Sequence, residues 1–445
     1  MDNGGLTYYD TTANATMEIG LVPDDTRKRE ILQPFYAQIS RALSDKLSLR
    51  YSAPDKSLVL REGNQWKTFT IKEQNEFWQA VWEQWGELRD VNWSTDRLNK
   101  MFTYFFSYPN KLEFKSHQYF ELKNFILDVT TGELHKEPNR HLLYPTFRNT
   151  PYSYRPGTKP SVAWQKWYDT MTPEQKRIRE WSVASAMCGE YGALLTFGNT
   201  RTGKSTLAEG LSKIIGEGAR PFSVSRDWGR FQTKQFHNTT YLFDPDAKGS
   251  KGQNLRNYEQ VHQMMSGDPI QMEIKGGLLF ESTNYGFMEI ISNDPVGLTF
   301  EPSLVDRVRF CLYTYITPRG DGGGLKRRIL ADEQAWVNYA VECAVKLAKG
   351  EIERSPLDHY QALGWYHWLS HNNGYAKLCF THGRYLTYQE YDTEYRGSSY
   401  YKMARDSVQT TRDGMEEISR QLEANFVNID WDEYEEQLRK EYYGK

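Results

Sequence analysis

Gly198-Asn199-Thr200-Arg201-Thr202-Gly203-Lys204-Ser205-Thr206 fits the pattern G-x-x-x-x-G-K-[ST] without a mismatch. Its flanks are those the pattern needs. Ala193-Leu-Leu-Thr-Phe197 reads as an apolar strand running into the loop. Leu207, Leu211, Ile214 and Ile215 space out as the buried stripe of a helix that ends at Gly216 and Gly218. The glycines let backbone N–H groups turn inward around phosphate oxygens, and the helix start adds the positive end of its dipole. Gly198 to Thr206 are therefore expected to cradle a triphosphate, with ATP and Mg²⁺ as the implied ligands. Lys204 would bridge the β- and γ-phosphates and Ser205 would ligate the metal.

A phosphate loop of this kind needs an acidic residue at the end of a neighbouring strand. Thr239-Thr-Tyr-Leu-Phe243 followed by Asp244-Pro-Asp246 supplies it. Asp244 is expected in the Mg²⁺ shell, and Asp246 or Asp244 would polarise the attacking water. Pro245 separates the two acids, so which of them is the catalytic carboxylate stays open. Gly277-Leu-Leu-Phe-Glu-Ser-Thr-Asn284 reads as a buried strand ending in an amide, which would place Asn284 beside the γ-phosphate. Arg307, with Arg309 close by, stands at the start of the strand in Leu304-Val-Asp-Arg-Val-Arg-Phe-Cys-Leu312. Such an arginine can reach a neighbour's γ-phosphate, or pair with Asp306. Gln271-Met-Glu-Ile274 and Leu278-Leu-Phe280 flank Lys275-Gly276-Gly277, a tight hairpin with a lysine at its tip.

The remainder organises around this centre. With 445 residues, about three domains are expected. Fifty-five Lys+Arg against 58 Asp+Glu leave a net charge of −3, so nucleic acid would have to be met by a local patch or pore rather than by overall charge. Hydrophobic residues at 39 % and charged residues at 25 % exclude a disordered chain. No apolar run approaches the ~20 residues that span a membrane, and no signal peptide is legible, so no membrane contact and a cytoplasmic location are expected. The four cysteines (Cys188, Cys311, Cys343, Cys379) have no framework spacing, which points to a reducing compartment.

The expected fold class is α/β: a phosphate-loop NTPase core with a parallel sheet at 151–325, an N-terminal mixed α/β accessory domain at 1–150, and a mostly helical C-terminal region at 326–445. Within the first, Thr26 to Lys46 looks helical, and Leu47–Tyr51, Ser57–Arg61 and Trp66–Ile71 form a meander. Phe77, Val81 and Trp85 mark a helix face, and Leu98 to Tyr108 another helix. Phe125 to Leu134 reads as a hairpin around Thr130-Thr131-Gly132. Trp164 to Cys188 and Asp332 to Lys349 read as long helices, with Arg319 to Gly324 as a flexible loop. His367, His371, Cys379 and His382, with His359 near, have ligand-like spacing for zinc, but the surrounding Trp365, Tyr366 and Trp368 favour core or surface histidines.

Taken in order, these elements resemble a superfamily 3 helicase of the kind found in phage and poxvirus primase–helicases. The resemblance runs from about Phe125 to Lys349. It takes in the Asn124-Phe-Ile-Leu-Asp-Val-Thr-Thr-Gly-Glu hairpin, the phosphate loop, Arg230-Phe231, the acidic strand, Ser266-Gly-Asp268, Lys275, Ser282-Thr-Asn284 and Arg307. It closes on Asp332-Glu-Gln-Ala-Trp336 through Leu347-Ala-Lys-Gly350. It implies an AAA+-like core in a homohexameric ring, ATP between subunits, and ATP-driven translocation on single-stranded or forked DNA. In that family Asn284 would be the polar sensor, Arg307 the finger acting in trans, and Lys275 the DNA-tracking residue. It also implies a primase–polymerase module upstream on the same chain, and the host's cytoplasm if the chain is phage-encoded. The alternatives are a kinase-like phosphotransferase and an initiator that uses ATP only to assemble on DNA.

Overall fold

The computed structural model describes residues 49–52, 57–62, 65–69, 111–198, 202–224, 239–247, 258–273, 279–283, 286–297, 300–313, 324–353, 357–396 and 403–431, with single residues 73, 76, 77, 236, 433 and 436. The expected helices at 26–46 and 98–108, most of the Phe77 helix face, Arg230-Phe231 and the loop 319–323 lie outside them. The chain divides into two compact units, Met1–Glu121 with Lys136–Asn149, and Leu122–His135 with Thr150–Lys445.

In the first unit, β1 (Leu49–Ser52), β2 (Ser57–Glu62) and β3 (Gln65–Thr68) form the meander, with Leu49 opposite Leu60 and Val59 opposite Thr68. β4 (Lys111–Leu112) adds to β1 in parallel. Leu58, Val59 and Leu60 are all buried, so β2 is covered on both faces. Arg61 and Glu121, at the end of β5 (Tyr119–Glu121), make a buried two-point ion pair, 2.8 Å from Nη1 to Oε2.

The second unit opens with a hairpin, β6 (Ile126–Asp128) and β7 (Leu134–His135), paired Ile126 to His135. Asp128 shapes its turn by accepting the Thr130 and Thr131 amides at 2.8 and 3.2 Å. The long helix expected from Trp164 to Cys188 is two helices, α1 (Val162–Tyr168) and α2 (Pro173–Cys188). The break follows from Thr172-Pro173: proline cannot continue a helix but suits its first position, and Thr172 with Gln175 forms a reciprocal cap.

From there the chain weaves β8 (Ala193–Gly198), α3 (Lys204–Ile215), β9 (Ala219–Pro221), β10 (Tyr241–Asp244), α4 (Tyr258–Ser266), β11 (Pro269–Glu273), β12 (Leu279–Thr283), β13 (Phe287–Ile291), the short α5 (Leu304–Arg307) and β14 (Val308–Tyr313). Five of these strands make one sheet in the order β14-β8-β13-β10-β9, every neighbour parallel. Parallel strands covered on both faces need apolar runs, and β8, β10 and β13 are buried along almost their whole length.

Register sets the two faces. Ala193, Leu195, Phe197, Met288, Ile290 and Phe310 share one side and join a core with the C-terminal helices α8 (His359–Asn372), α9 (Gly374–His382), α10 (Tyr388–Tyr395) and α11 (Arg405–Gln421). Within 326–445, the residues of this cluster between Ala362 and Trp431 therefore share a core with the sheet. Gly364 of α8 lies so close to Phe310 that a Cβ there would overlap the ring. The opposite face carries a buried polar cluster. Arg179 of α2 pairs with Glu289 and donates to Tyr313 Oη at 3.0 Å and Thr196 Oγ1 at 3.1 Å, while Tyr241 Oη donates to Glu289 at 2.6 Å. One helix is thus tied to β14, β8 and β13 directly and to β10 through Glu289. α6 (Gly324–Leu330) and α7 (Glu333–Ala348, capped by Asp332) follow, and Trp336 of α7 sits 2.5 Å from where a Cβ at Gly210 of α3 would lie. Among the described residues, no helix is long and apolar enough to cross a membrane.

Candidate functional site

Because all five strands run the same way, the ends of β8, β10 and β13 open on one edge of the sheet. That edge is where open α/β sheets bind ligands. β8 delivers Gly198, with φ +141°, where a Cβ would collide with the Tyr313 carbonyl. The chain re-enters the described residues at Thr202 and turns through Gly203, φ 84°, into α3. Gly203 caps α3 without a side chain, so the amides of the helix start are not closed off by a hydroxyl or carboxylate. The indole of Trp167 lies 3.2 Å from where a Gly203 Cβ would stand. Asn199, Thr200 and Arg201 lie outside the described residues.

Lys204 is buried at the first position of α3. Its ammonium donates to the Gly198 carbonyl and, at 3.1 Å, to Asn293 Oδ1. Burial lowers its pKa, and the negative charge of Asp246 opposes that. Asn293 follows β13, the strand inserted between β8 and the acidic β10. It is presented by a tight turn in which the Ser292 amide donates to Thr196 O at 3.0 Å and the Ser292 hydroxyl to Asp294 O at 2.5 Å.

The two acids after β10 differ. Asp244 is buried; its Oδ2 accepts the Val224 amide at 2.9 Å and its Oδ1 the Asp246 amide at 3.3 Å, so it braces the strand end. Asp246 is exposed, its charge acts on Lys204, and the next amide, Ala247, donates to Ile291 O at 2.8 Å. Of the two acids, Asp246 is the exposed one and its charge acts on Lys204, while Asp244 is engaged by backbone amides. A hydroxyl, a carboxylate, an open helix start and a buried ammonium suit a triphosphate with a hard divalent cation.

The strand that leads to Asn284 stands apart from the central sheet. Leu279–Thr283 does not enter the central sheet; it pairs antiparallel with Pro269–Glu273 in a separate two-stranded hairpin, Pro269 opposite Thr283 and Glu273 opposite Leu279. The amide beside Lys204 is Asn293. Asn284 itself, and Lys275 in the connection 274–278, lie outside the described residues. Both segments are apolar strands followed by polar residues, so only strand pairing tells them apart.

Arg307 ends α5 one residue before β14. Val308 pairs with Ala193 whereas Tyr313 pairs with Gly198, which leaves Arg307 at the far end of β8, roughly 20 Å along the strand from its own phosphate loop. Its side chain is half-buried, with no hydrogen bond or ion pair among the described residues. Asp306, the neighbour it was expected to compete for, accepts instead from Gln421 of α11 at 3.0 Å. Arg309 is buried and donates to the Val305 and Val308 carbonyls, which makes it a structural residue.

The histidines spaced like zinc ligands are engaged elsewhere. His382 meets Glu394 at 2.9 Å, His371 meets the His367 carbonyl, and the buried Cys379 accepts from the Leu386 amide. Among the described residues no group of three or more His, Cys, Asp or Glu converges to hold a metal.

Residues 196–307 match the model of a family of unknown function, DUF5906, a span that runs from β8 to Arg307. Among solved structures, the chain is similar to the apo C-terminal region of NrS-1, at 11 % identity and a TM-score of 0.46 over 86 % of this chain and 88 % of that one. A second is the JCV helicase bound to a thiazolopyridine-phenoxyphenyl acetamide, at 14 % identity and a TM-score of 0.29 over 43 % of this chain and 61 % of that one. No curated protein matches the chain.

Proposed function

We propose that the chain is an ATP-driven DNA helicase motor that works as a ring, most simply a hexamer, on single-stranded or forked DNA. The observation that carries this reading is the meeting of Lys204 with Asn293 just past the strand inserted between β8 and β10, with the charge of Asp246 acting on that lysine. Lys204 and the amides of the α3 start would hold the phosphates. Ser205 and Asp246, with Asp244 behind, would hold Mg²⁺. The metal would supply charge neutralisation between the β- and γ-phosphates. Asn293 takes the sensor role expected of Asn284: its amide touches the lysine that grips the phosphates, so it can orient a water there and register whether the γ-phosphate is present.

Arg307 favours the ring. It stands too far along β8 to serve its own phosphate loop, and among the described residues it has no ion-pair partner, while Asp306 accepts from Gln421. A neighbour's triphosphate is a fitting destination for such a charge. In the chain the β11–β12 hairpin lies between β10, which ends at the acids, and β13, which leads to Asn293, so the arm that leads to Lys275 is covalently continuous with both strands of the site. That is a route from hydrolysis to DNA.

The test is DNA-stimulated ATPase and strand displacement by the purified chain. Lys204→Ala is expected to abolish both. Retention of either by that variant would overturn the reading. Hydrolysis without strand displacement would favour the initiator alternative, and phosphate transfer to a small acceptor by a monomer would favour the kinase-like one.

A further inference from the structure

α6 brings a second lysine to the phosphate loop. Lys326 donates to Ser205 Oγ at 3.2 Å and to Glu209 Oε1 at 2.5 Å. Ser205 and Glu209 are one turn apart on α3, so they share a face, and the lysine lies across both. Beside it a pocket of about 410 Å³ opens between α3 and α6, walled in part by Lys213, Arg327 and Leu330. The far end of α6 is held by Trp336, whose indole N–H donates to the Ile329 carbonyl at 3.0 Å.

We infer that Lys326 is a latch on the metal seat of the phosphate loop: it occupies the Ser205 oxygen until a metal–nucleotide complex is bound, and then moves aside into the adjoining pocket. This rests on the reading of Ser205 as a Mg²⁺ ligand. A serine hydroxyl offers its oxygen lone pairs to either cation, but a metal at ~2.1 Å and an ammonium on the same oxygen repel one another. Lys326 must therefore leave Ser205 for the seat to fill. Glu209 argues against the lysine staying to bind phosphate, because its carboxylate neutralises the ammonium where it stands. Departure of Lys326 moves a residue three positions from Ile329, so α6 registers whether the site is loaded.

The test is binding of a fluorescent, non-hydrolysable ATP analogue titrated with Mg²⁺. Lys326→Met is expected to lower the Mg²⁺ concentration for half-saturation by roughly 2- to 5-fold, the range that a half-exposed ion pair converts to. Glu209→Gln, which unfastens the lysine without removing it, is expected to shift it the same way, and Lys326→Arg, which keeps the charge, to stay near wild type. A Lys326→Met chain with an unchanged or raised Mg²⁺ requirement, while wild type binds the analogue, overturns the latch alone. Wild type that binds no analogue at any Mg²⁺ overturns the nucleotide reading, and the latch with it.

Discussion

The ammonium of Lys204 reaches from the end of one strand to the end of its neighbour, donating to Asn293 Oδ1 at 3.1 Å. The contact joins the lysine proposed to grip phosphate to the strand that separates β8 from the acidic β10. Asn293→Ala is expected to lower ATP turnover on the order of 10²-fold, the usual effect of losing one aligned polar group at a charged transition state. Asn284→Ala should stay within a few-fold of wild type. Steady-state ATPase on the two variants decides between them, and the opposite ranking would return the sensor role to Asn284.

Arg307→Ala is expected to cut hydrolysis by ~10³-fold or more with nucleotide binding retained. Mixing separates action across subunits from action within one. An Arg307→Ala protomer keeps its phosphate loop, and a Lys204→Ala protomer keeps its arginine, so a mixture of the two inactive variants should recover ATPase. No recovery in mixed assemblies would show that the arginine serves its own chain.

The pair Arg179–Glu289 should be a point of fragility. Both side chains are fully buried, and Glu289 also receives Tyr241 and Thr196. Glu289→Ala strands a charge in the interior and is expected to cost about 3–5 kcal/mol, read from the denaturant midpoint. Replacing both partners with apolar residues, Arg179→Met with Glu289→Leu, should recover a large part of that. A single variant within about 1 kcal/mol of wild type would show that the network contributes little.

In the first unit, His141 has its pKa pushed down to about 4, by burial first and then by Arg61, Arg140 and Arg50. The unfolded chain takes that proton near pH 6.5 and the folded one does not. The contribution is therefore whole above about pH 6.5, and stability falls as pH drops from there towards 4. His141→Gln, which cannot take the proton, should flatten the decline in denaturant midpoint across that window. An equally steep decline would assign it to another group.

The sequence alone determined whatever depends on neighbours along the chain. Gly198 to Thr206 between an apolar strand and an apolar-striped helix specifies loop and helix locally, because glycine conformations and helix periodicity are short-range properties. The meander at 49–68, the turn at Asp128, the α7 helix and the hairpin around Lys275 were legible for the same reason. The helix break at Thr172-Pro173 was written there too, in a proline and a capping pair that a count of apolar spacing passes over.

What only the tertiary structure decided is which distant segments become neighbours. Leu279–Thr283 and Phe287–Ile291 are both apolar strands with polar sequels; hydrogen bonding sends one into a hairpin and the other against β8, and so chooses Asn293. Asp244 and Asp246 are two residues apart, yet the Val224 amide claims one and leaves the other exposed, its charge acting on Lys204. Arg179 with Glu289, and Lys326 with Ser205, are separated by more than a hundred residues, and no local pattern pairs them. A periodicity records which face of an element is buried but not what it is buried against. The sheet's register supplies that, and with it the chemistry at the sheet's edge.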